Sequence, residues 1–297
     1  MAERSSGDPS PIGAWLFVTF QRLLPQRTLS RCAHRLARSR SRLVKDALIG
    51  AFVRGFEPRM SEAAMPDPHR YPSFAEFFTR RLRADARRVD PDPHVLTSPV
   101  DGSVSQIGEL DGERLLQAKG RSYELGALLA GEPEWTRRLA GGGFATLYLA
   151  PRDYHRIHMP LAGQLRAAWF VPGRLFSVNA TTTAAVAGLF ARNERVILAF
   201  ESPAGLPFAV VLVGALLVGS IATVWHGEVA PGGRSARALP LPVSAGALEK
   251  GAELGWFNMG STVIVLLPRA GARWAAHLAP GSEVRVGQAL GRLEPAP

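Results

Sequence analysis

Apolar positions along this chain fall into two regimes. Through about residue 60 they recur at helical spacing. Trp15, Leu16, Phe17, Val18, Phe20, Leu23 and Leu24 form a short apolar stretch that ends at Pro25. Leu29, Cys32, Leu36, Leu43, Val44, Ala47, Leu48 and Phe52 then predict an amphipathic helix over Thr28–Val53, with Arg31, Arg35, Arg38, Arg42 and Lys45 over much of its remaining surface. Pro66, Pro68 and Pro72 mark a loop. Ser73–Arg83 reads as a short helix opened by a capping box, with Ser73 at the N-cap, Glu76 at N3 and an apolar face of Phe74, Phe77, Phe78 and Leu82. From Val95 onward the pattern changes to short β-rich runs punctuated by Gly and Pro. These predict strands at Val104–Ile107, Phe144–Leu149, Val196–Phe200, Val210–Val218 and Thr262–Leu267, with helical interruptions at Tyr123–Leu129 and Ala180–Leu189. Arg234–Lys250, rich in Ala, Gly, Pro and Ser, predicts a mobile loop. The expected fold is therefore α+β, with N-terminal amphipathic helices over 1–65 and a β-rich body over 66–297.

One run requires a decision between strand and membrane span. Phe208–Trp225 carries no charge over 18 residues, the length at which a transmembrane helix becomes a candidate. It is dominated by β-branched residues (Val210, Val211, Val213, Val218, Ile221, Thr223, Val224) and interrupted by Gly214 and Gly219. Two buried strands joined or bent near the glycines fit better. There is also a weak internal echo. Ser98–Gly108, Met159–Leu165 and Gly281–Gly291 each read like the edge of a barrel-sandwich, as in biotinyl or lipoyl carrier domains. Such carriers need a modifiable lysine on a hairpin tip, and Gly251–Pro297 contains none. A carrier function is disfavoured, while a barrel-sandwich-like body remains the expectation.

Composition narrows the setting. With 297 residues and 46% hydrophobic content the chain is long enough for a sizeable core and is not of disordered type. A single cysteine, Cys32, excludes a disulfide framework and any multi-cysteine metal site. The net charge is +10, and residues 1–60, with 11 Lys/Arg and 4 Asp/Glu, supply +7 of it. Such a patch suits nucleic acid or an anionic lipid surface. No recognition-helix motif, zinc finger or aromatic RNA-binding signature accompanies it, so nucleic acid is not expected. The 10-residue stretch ending at Leu24 is too short to span a bilayer, which takes about 20 residues, and lacks the order of a signal peptide. An arginine-lined amphipathic helix next to a Trp/Phe-rich anchor fits a protein lying on a membrane. The same spacing fits a helix packed on its own domain.

Three clusters carry candidate chemistry: Asp101 in SPVDG, His155 and His158 in YLAPRDYHRIHMP, and Ser261 in Gly260–Ser261–Thr262 before an apolar strand. Each also has an ordinary structural reading, since Asp-Gly marks turns and closely spaced histidines often bond nearby backbone. Asp, His and Ser together could form a serine hydrolase, in which a carboxylate orients His and His deprotonates Ser. Ser261 is not, however, in the G-x-S-x-G elbow that exposes such a nucleophile. A hydroxyl at the start of a strand, after a glycine that tolerates close approach, can instead attack its own upstream carbonyl. Attack on Gly260 gives an ester by an N-to-O acyl shift. Elimination then breaks the chain, and the resulting dehydroalanine hydrolyses to a pyruvoyl ketone, an electron sink made from the protein itself.

The clusters resemble the phosphatidylserine decarboxylases, pyruvoyl-dependent proenzymes of bacterial phospholipid synthesis. The matching text is YPSFAEFFTRRLR (71–83), SPVDGSVSQIG (98–108), LLQAKGRSYELGALL (115–129), YLAPRDYHRIHMP (148–160), GRLFSVN (173–179), LFARNERV (189–196), VGSIATVWHGEV (218–229) and MGSTVIVL (259–266). It extends over roughly residues 20–295. Met259 stands where the family usually has leucine, a volume-conserving exchange. The resemblance implies that Asp101 orients, His158 acts as base and Ser261 is the nucleophile of self-cleavage between Gly260 and Ser261. The products would be a β chain of 1–260 and an α chain of 261–297 headed by the pyruvoyl group, held together as a heterodimer. The resemblance further implies a Schiff base with the amine of phosphatidylserine, loss of carbon dioxide, protonation by His155 and release of phosphatidylethanolamine. It places Ser177 and Asn179 as substrate-pocket candidates and requires no metal. It leaves self-association of the heterodimer open. The basic N-terminus then predicts peripheral attachment to the cytoplasmic face of the inner membrane, at about 1 kcal/mol per Lys/Arg near the interface. The rival readings are a serine hydrolase with an intact chain, a pyruvoyl enzyme acting on a free amino acid, and a non-catalytic membrane adaptor.

Overall fold

A computed structural model describes residues 11–118, 120–216, 220–229, 235–241, 247–258, 261–269 and 271–294. Three helices come first: α1 Pro11–Leu23, α2 Gln26–Ala37 and α3 Arg42–Phe56, followed by the short α4 Phe74–Phe78. The body opens with β1 Val95–Thr97, β2 Gly102–Glu109, β3 Arg114–Ala118 and β4 Arg121–Glu124, then α5 Leu125–Leu128 and α6 Pro133–Leu139. Next come β5 Gly143–Leu149, β6 Arg156–His158, β7 Gln164–Val171, α7 Ala180–Ala185, α8 Leu189–Arg192, β8 Arg195–Glu201 and β9 Pro207–Val213. The chain closes with β10 Ile221–Thr223, β11 Gly227–Val229, β12 Arg237–Ala238, β13 Glu253–Phe257, β14 Ser261–Leu266, β15 Ala272–Trp274, β16 Glu283–Val284 and β17 Ala289–Leu293.

The backbone of the fold is an eight-stranded antiparallel sheet in the order β12-β7-β8-β9-β14-β5-β2-β16. Its central strands β9 and β14 are buried at nearly every position, so they show no apolar/polar alternation. The cause is a core on each face. Val263 and Val265 point to one side with Leu147 and Leu149, and Ile264 and Leu266 point to the other with α5 and α6. A four-stranded sheet, β11-β10-β13-β6, packs on the first face, and the three-stranded β1-β17-β15 adjoins it. The architecture is α+β, as the sequence pattern predicts. Among the described residues the sheets are open, so the barrel-sandwich-like expectation holds only for a layered β body and not for a closed barrel.

Several elements differ from the sequence expectation. The uncharged Phe208–Trp225 run is two strands, but β9 ends at Val213, not Val218, and β10 belongs to the other sheet; residues 217–219 lie outside the described set. No described helix is long and apolar enough to cross a membrane. The helix expected over Thr28–Val53 is two helices, because Arg38–Ser41 leave the helical path and α3 restarts after Ser41. Tyr123 lies in β4, and only Leu125–Leu128 are helical. Ala180–Leu189 is interrupted by Gly188 in a left-handed conformation. The predicted loop 234–250 is partly sheet. Arg237–Ala238 pair with β7, and Leu248 exchanges both backbone hydrogen bonds with Gly163. Residues 234 and 242–246 of that loop are outside the described set.

The N-terminal helices are tied to the body by polar and aromatic contacts. The buried Gln21 accepts from the Ser177 backbone at 2.8 Å and donates to Thr182 Oγ1 at 3.2 Å. Gln26 accepts from the Leu175 backbone at 3.0 Å. Phe52 of α3 meets Phe74, Phe77 and Phe78 edge-on, with ring centroids 5.4–5.7 Å apart. The Ser73 side chain caps α4 by accepting from the Glu76 N–H at 3.2 Å, as the capping signal predicts. The helix is shorter than Ser73–Arg83 because the next residues are drawn into extended pairing. Arg83 N–H donates to the Glu62 carbonyl and Ala64 N–H to the Arg81 carbonyl.

Candidate active site

The site forms where the chain crosses between sheets. β13 delivers Phe257 and Asn258, and β14 begins at Ser261. Met259 and Gly260, and with them the upstream half of the expected scissile bond, lie outside the described residues. Both flanks of the crossing are held. Phe257 N–H donates to the His155 carbonyl at 3.0 Å. Asn258 donates through Nδ2 to Ser220 Oγ at 2.5 Å and to Glu228 Oε1 at 3.0 Å, while Ser261 pairs with Leu149 of β5. Ser261 is fully buried and its Oγ has no hydrogen-bond partner among the described residues. A buried hydroxyl without a partner costs about 1–3 kcal/mol; Ser30, Tyr123, Thr146 and Thr262 share this condition, so what distinguishes Ser261 is its place at the start of β14, directly after the inter-sheet crossing.

The loop between β5 and β6 carries the histidines. His155 is fully buried, packs against Phe78 with ring centroids 4.2 Å apart and the planes tilted by 43°, and its Nδ1 lies 2.9 Å from the Asp153 carbonyl. Because a carbonyl only accepts, Nδ1 carries the proton, leaving Nε2 as an enclosed lone pair with no partner. Burial pushes the His155 pKa down to about 3, helped by the nearby Arg80 charge and opposed by the Asp153 carbonyl. His158 likewise donates from Nδ1 to the Gly251 carbonyl at 2.8 Å, so its Nε2 accepts from the Tyr154 hydroxyl at 3.2 Å. Its pKa is also lowered, mainly by burial. Both rings are thus neutral, and each presents Nε2 as a base.

Asp101 sits at the same end of the sheet as Ser261, two strands away. Ser103 pairs with Tyr148 of β5, whose next residue, Leu149, pairs with Ser261. With strands about 4.8 Å apart, the backbones are roughly 10 Å from each other. The Asp101 carboxylate is buried, accepts from Nε and Nη2 along one edge of the Arg87 guanidinium, and takes the Val286 N–H at 2.9 Å. The SPVDG segment reaches the histidines through backbone: His158 N–H donates to the Pro99 carbonyl at 2.8 Å. In this conformation, however, no described hydrogen bond joins Asp101 to His158 or His158 to Ser261. The glycine of the Asp-Gly pair is explained by close approach and not by a turn. A Cβ on Gly102 would lie 2.2 Å from the Tyr148 carbonyl oxygen.

Ser177 and Asn179 lie elsewhere, flanking Val178 in the core on the opposite face of the sheet. Ser177 binds Gln21 of α1, and Asn179 caps α7 by accepting from Thr182 N–H at 2.9 Å. Residues that the sequence reading passed over complete the site: Tyr154 on His158, Arg87 on Asp101, and Asn258 with Glu228 at the crossing. Tyr154 lies inside the quoted histidine motif and Glu228 inside the quoted block 218–229, whereas Arg87 and Asn258 fall outside every quoted block and have partners remote in sequence. A cavity of about 280 Å³ is lined by Arg80, Arg87, Asp101, Asp153 and Tyr154 among others, and a second of about 250 Å³ by Tyr154, His158 and Gly251. Among the described residues no group of three or more His, Cys, Asp or Glu is arranged to hold a metal ion.

A family model described as phosphatidylserine decarboxylase matches residues 74–292, and a second, described as PSD, matches residues 16–57. The chain is 50% identical over 283 residues to the phosphatidylserine decarboxylase proenzyme of Azotobacter vinelandii, covering 93% of this chain and 98% of the relative. It is 50% identical over 279 residues to the proenzyme of the same name from Pseudomonas fluorescens, covering 93% and 96%. It is 48% identical over 283 residues to that of Bordetella pertussis, covering 94% and 95%.

Proposed function

Since the chain belongs to the phosphatidylserine decarboxylase family, we propose that it is a precursor that cuts itself at Gly260–Ser261 and then converts phosphatidylserine to phosphatidylethanolamine. It is a carboxy-lyase by family. The observation that carries the processing step is the position of the fully buried Ser261 hydroxyl, first residue after the inter-sheet crossing and without a hydrogen-bond partner among the described residues. Its surroundings suit an internal ester shift better than hydrolysis of an outside substrate. Phe257 and Asn258 anchor the upstream side, the β14–β5 pairing anchors Ser261, and an enclosed hydroxyl faces little competing water.

His158 is the base that takes the Ser261 proton, with the Tyr154 hydroxyl yielding or relaying at Nε2. Asp101 acts on His158 through the field of its carboxylate, which favours the imidazolium formed when the proton arrives. Cleavage leaves a β chain of 260 residues and an α chain of 37, held together by the β14–β5 and β14–β9 ladders, which join the two chains without a linker. A pyruvoyl group derived from Ser261 would supply the carbonyl electrophile for the substrate amine and the electron sink for decarboxylation. His155 protonates the carbon that loses the carboxylate: its Nε2 lone pair first takes a proton released by the substrate ammonium on condensation and then returns it to that carbon.

Residues 1–65 form the membrane-associating part and 66–297 the catalytic domain. Leu16, Phe17, Phe20 and Leu23 of α1, Leu29 and Leu36 of α2, and Leu43 and Phe56 of α3 are exposed, whereas only Leu116, Val224 and Leu241 are exposed large apolar residues elsewhere among the described residues. That concentration, with the basic charge of the same segment, supports peripheral attachment to the cytoplasmic face of the inner membrane.

The test is intact mass and denaturing electrophoresis of the purified protein, followed by incubation with phosphatidylserine vesicles. The expected result is two chains, with the smaller one blocked at its N-terminus, and release of phosphatidylethanolamine. A single unbroken chain that is labelled at Ser261 by a fluorophosphonate would identify a hydrolase instead. High salt should release the protein from vesicles in part; complete release by salt alone would overturn insertion of the apolar helix faces.

A further inference from the structure

Two arginines are almost fully enclosed, and they are used in opposite ways. Arg195 is saturated by carbonyls. It donates to Leu128 and Ala127 at 2.7 Å, to Ala191 at 2.6 Å and to Asn193 at 3.1 Å, closing the ends of α5 and α8. Arg80, 3% exposed, donates only from Nη2, to the Arg152 carbonyl at 3.1 Å and the Asp153 carbonyl at 3.5 Å. Among the described residues its Nε and Nη1 are enclosed without an acceptor and it makes no ion pair; its guanidinium carbon lies 5.7 Å from the centroid of the Phe77 ring. A buried cation with vacant donors is costly in a resting fold, so its partner is expected to arrive from outside.

We propose that Arg80 is the anion-recognition residue of this site, its guanidinium taking a phosphodiester oxygen of the substrate headgroup. The inference rests on the function proposed above. Arg80 lines the cavity of about 280 Å³ that also contains Asp101 and Tyr154. That volume is near the lower end for small-molecule sites and suits a polar headgroup more than a whole lipid. Arg80 is also next to the proton-handling group, since the Asp153 carbonyl that it shares accepts from His155 Nδ1. The cavity's Arg87 is already committed to Asp101 and Glu62.

The other anion of the substrate is its carboxylate, and the chemistry assigns that elsewhere. A guanidinium on the carboxylate would stabilise the charge that has to leave, holding the ground state more than the transition state. The phosphodiester keeps its charge throughout the reaction, so Arg80 contributes uniform binding. Removing it should raise KM and leave kcat nearly unchanged.

Wild type and the Arg80→Lys and Arg80→Gln variants are compared in detergent micelles of phosphatidylserine, after intact mass has shown cleavage. Binding of glycerophosphoethanolamine and of inorganic phosphate is measured by calorimetry on the same proteins. For Arg80→Gln the expected result is a KM raised roughly ten- to a hundredfold, kcat within about threefold, and loss of glycerophosphoethanolamine binding, with Arg80→Lys in between. Phosphate binding lost in parallel assigns the contact to the phosphate group itself. Unchanged KM, unchanged ligand binding, or a loss confined to kcat overturns the proposal. Variants that fold but stay uncut, or that do not fold, also overturn it, because a headgroup contact has no part in making the ketone. Wild type that is inactive on phosphatidylserine refutes the proposed activity, not the role of Arg80.

Discussion

The N–H of Phe257 donates to the carbonyl of His155, at 3.0 Å. The strand leading into the expected cleavage site is therefore pinned to the backbone of the residue assigned to turnover. Processing and decarboxylation share one scaffold, and the two histidines three residues apart are separated by their surroundings. His155 is enclosed against Phe78, while His158 opens to a cavity through Tyr154.

That separation predicts different phenotypes. His158→Ala should remain a single chain of full mass. His155→Ala should still split, with turnover lost by at least about 100-fold, as expected for loss of general acid–base catalysis. Denaturing electrophoresis and a lipid assay read the two results; normal processing in both variants would defeat the assignment.

Asn258 holds the upstream flank through Ser220 and Glu228, and Glu228 in turn pairs with Arg38 of α2. Asn258→Leu is expected to slow self-cleavage about tenfold or more, because the attack requires the upstream carbonyl to be held near Ser261. A pulse-chase time course of precursor and product measures it. Cleavage at the wild-type rate would show that the β14–β5 pairing alone suffices.

Gly102→Ala tests the close approach beside Asp101. A Cβ there meets the Tyr148 carbonyl oxygen at 2.2 Å, so β2 has to move away from β5. A loss of about 1–3 kcal/mol in stability is expected, together with slower processing as Asp101 shifts. Chemical denaturation and the electrophoretic assay report the two effects separately.

Stability should fall in mild acid. The His155 pKa is pushed down to about 3 in the folded protein by burial, against about 6.5 when unfolded. Between these values the unfolded chain binds a proton that the native state refuses, so stability is full above about pH 6.5 and declines as pH falls toward 3. The slope is up to about 1.4 kcal/mol per pH unit for one such group. His158, shifted in the same direction, adds to it. Denaturation midpoints from pH 7 to 4 in wild type and His155→Phe should diverge, with the variant less sensitive.

Local patterns in the sequence reveal the helical start, the β-rich body and the three reactive clusters. Helical spacing, Gly/Pro punctuation and the β-branched run at 208–225 are properties of neighbouring residues, so they survive without knowledge of the fold. Motifs likewise single out Asp101, His155, His158 and Ser261, because each has its own chemistry. Tertiary structure decides what those residues touch. α4 stops at Phe78 because residues 81–83 pair with 62–64, and that exit lets Arg80 turn inward to the Asp153 carbonyl instead of lying on a helix face. Ser177 holds α1 because the buried Gln21 reaches it from over 150 residues away, and Asn179 caps α7. Whether a hydroxyl is enclosed, an arginine left unsatisfied or an imidazole kept neutral depends on burial by distant segments, and burial is a sum over the whole fold that no local stretch of sequence contains.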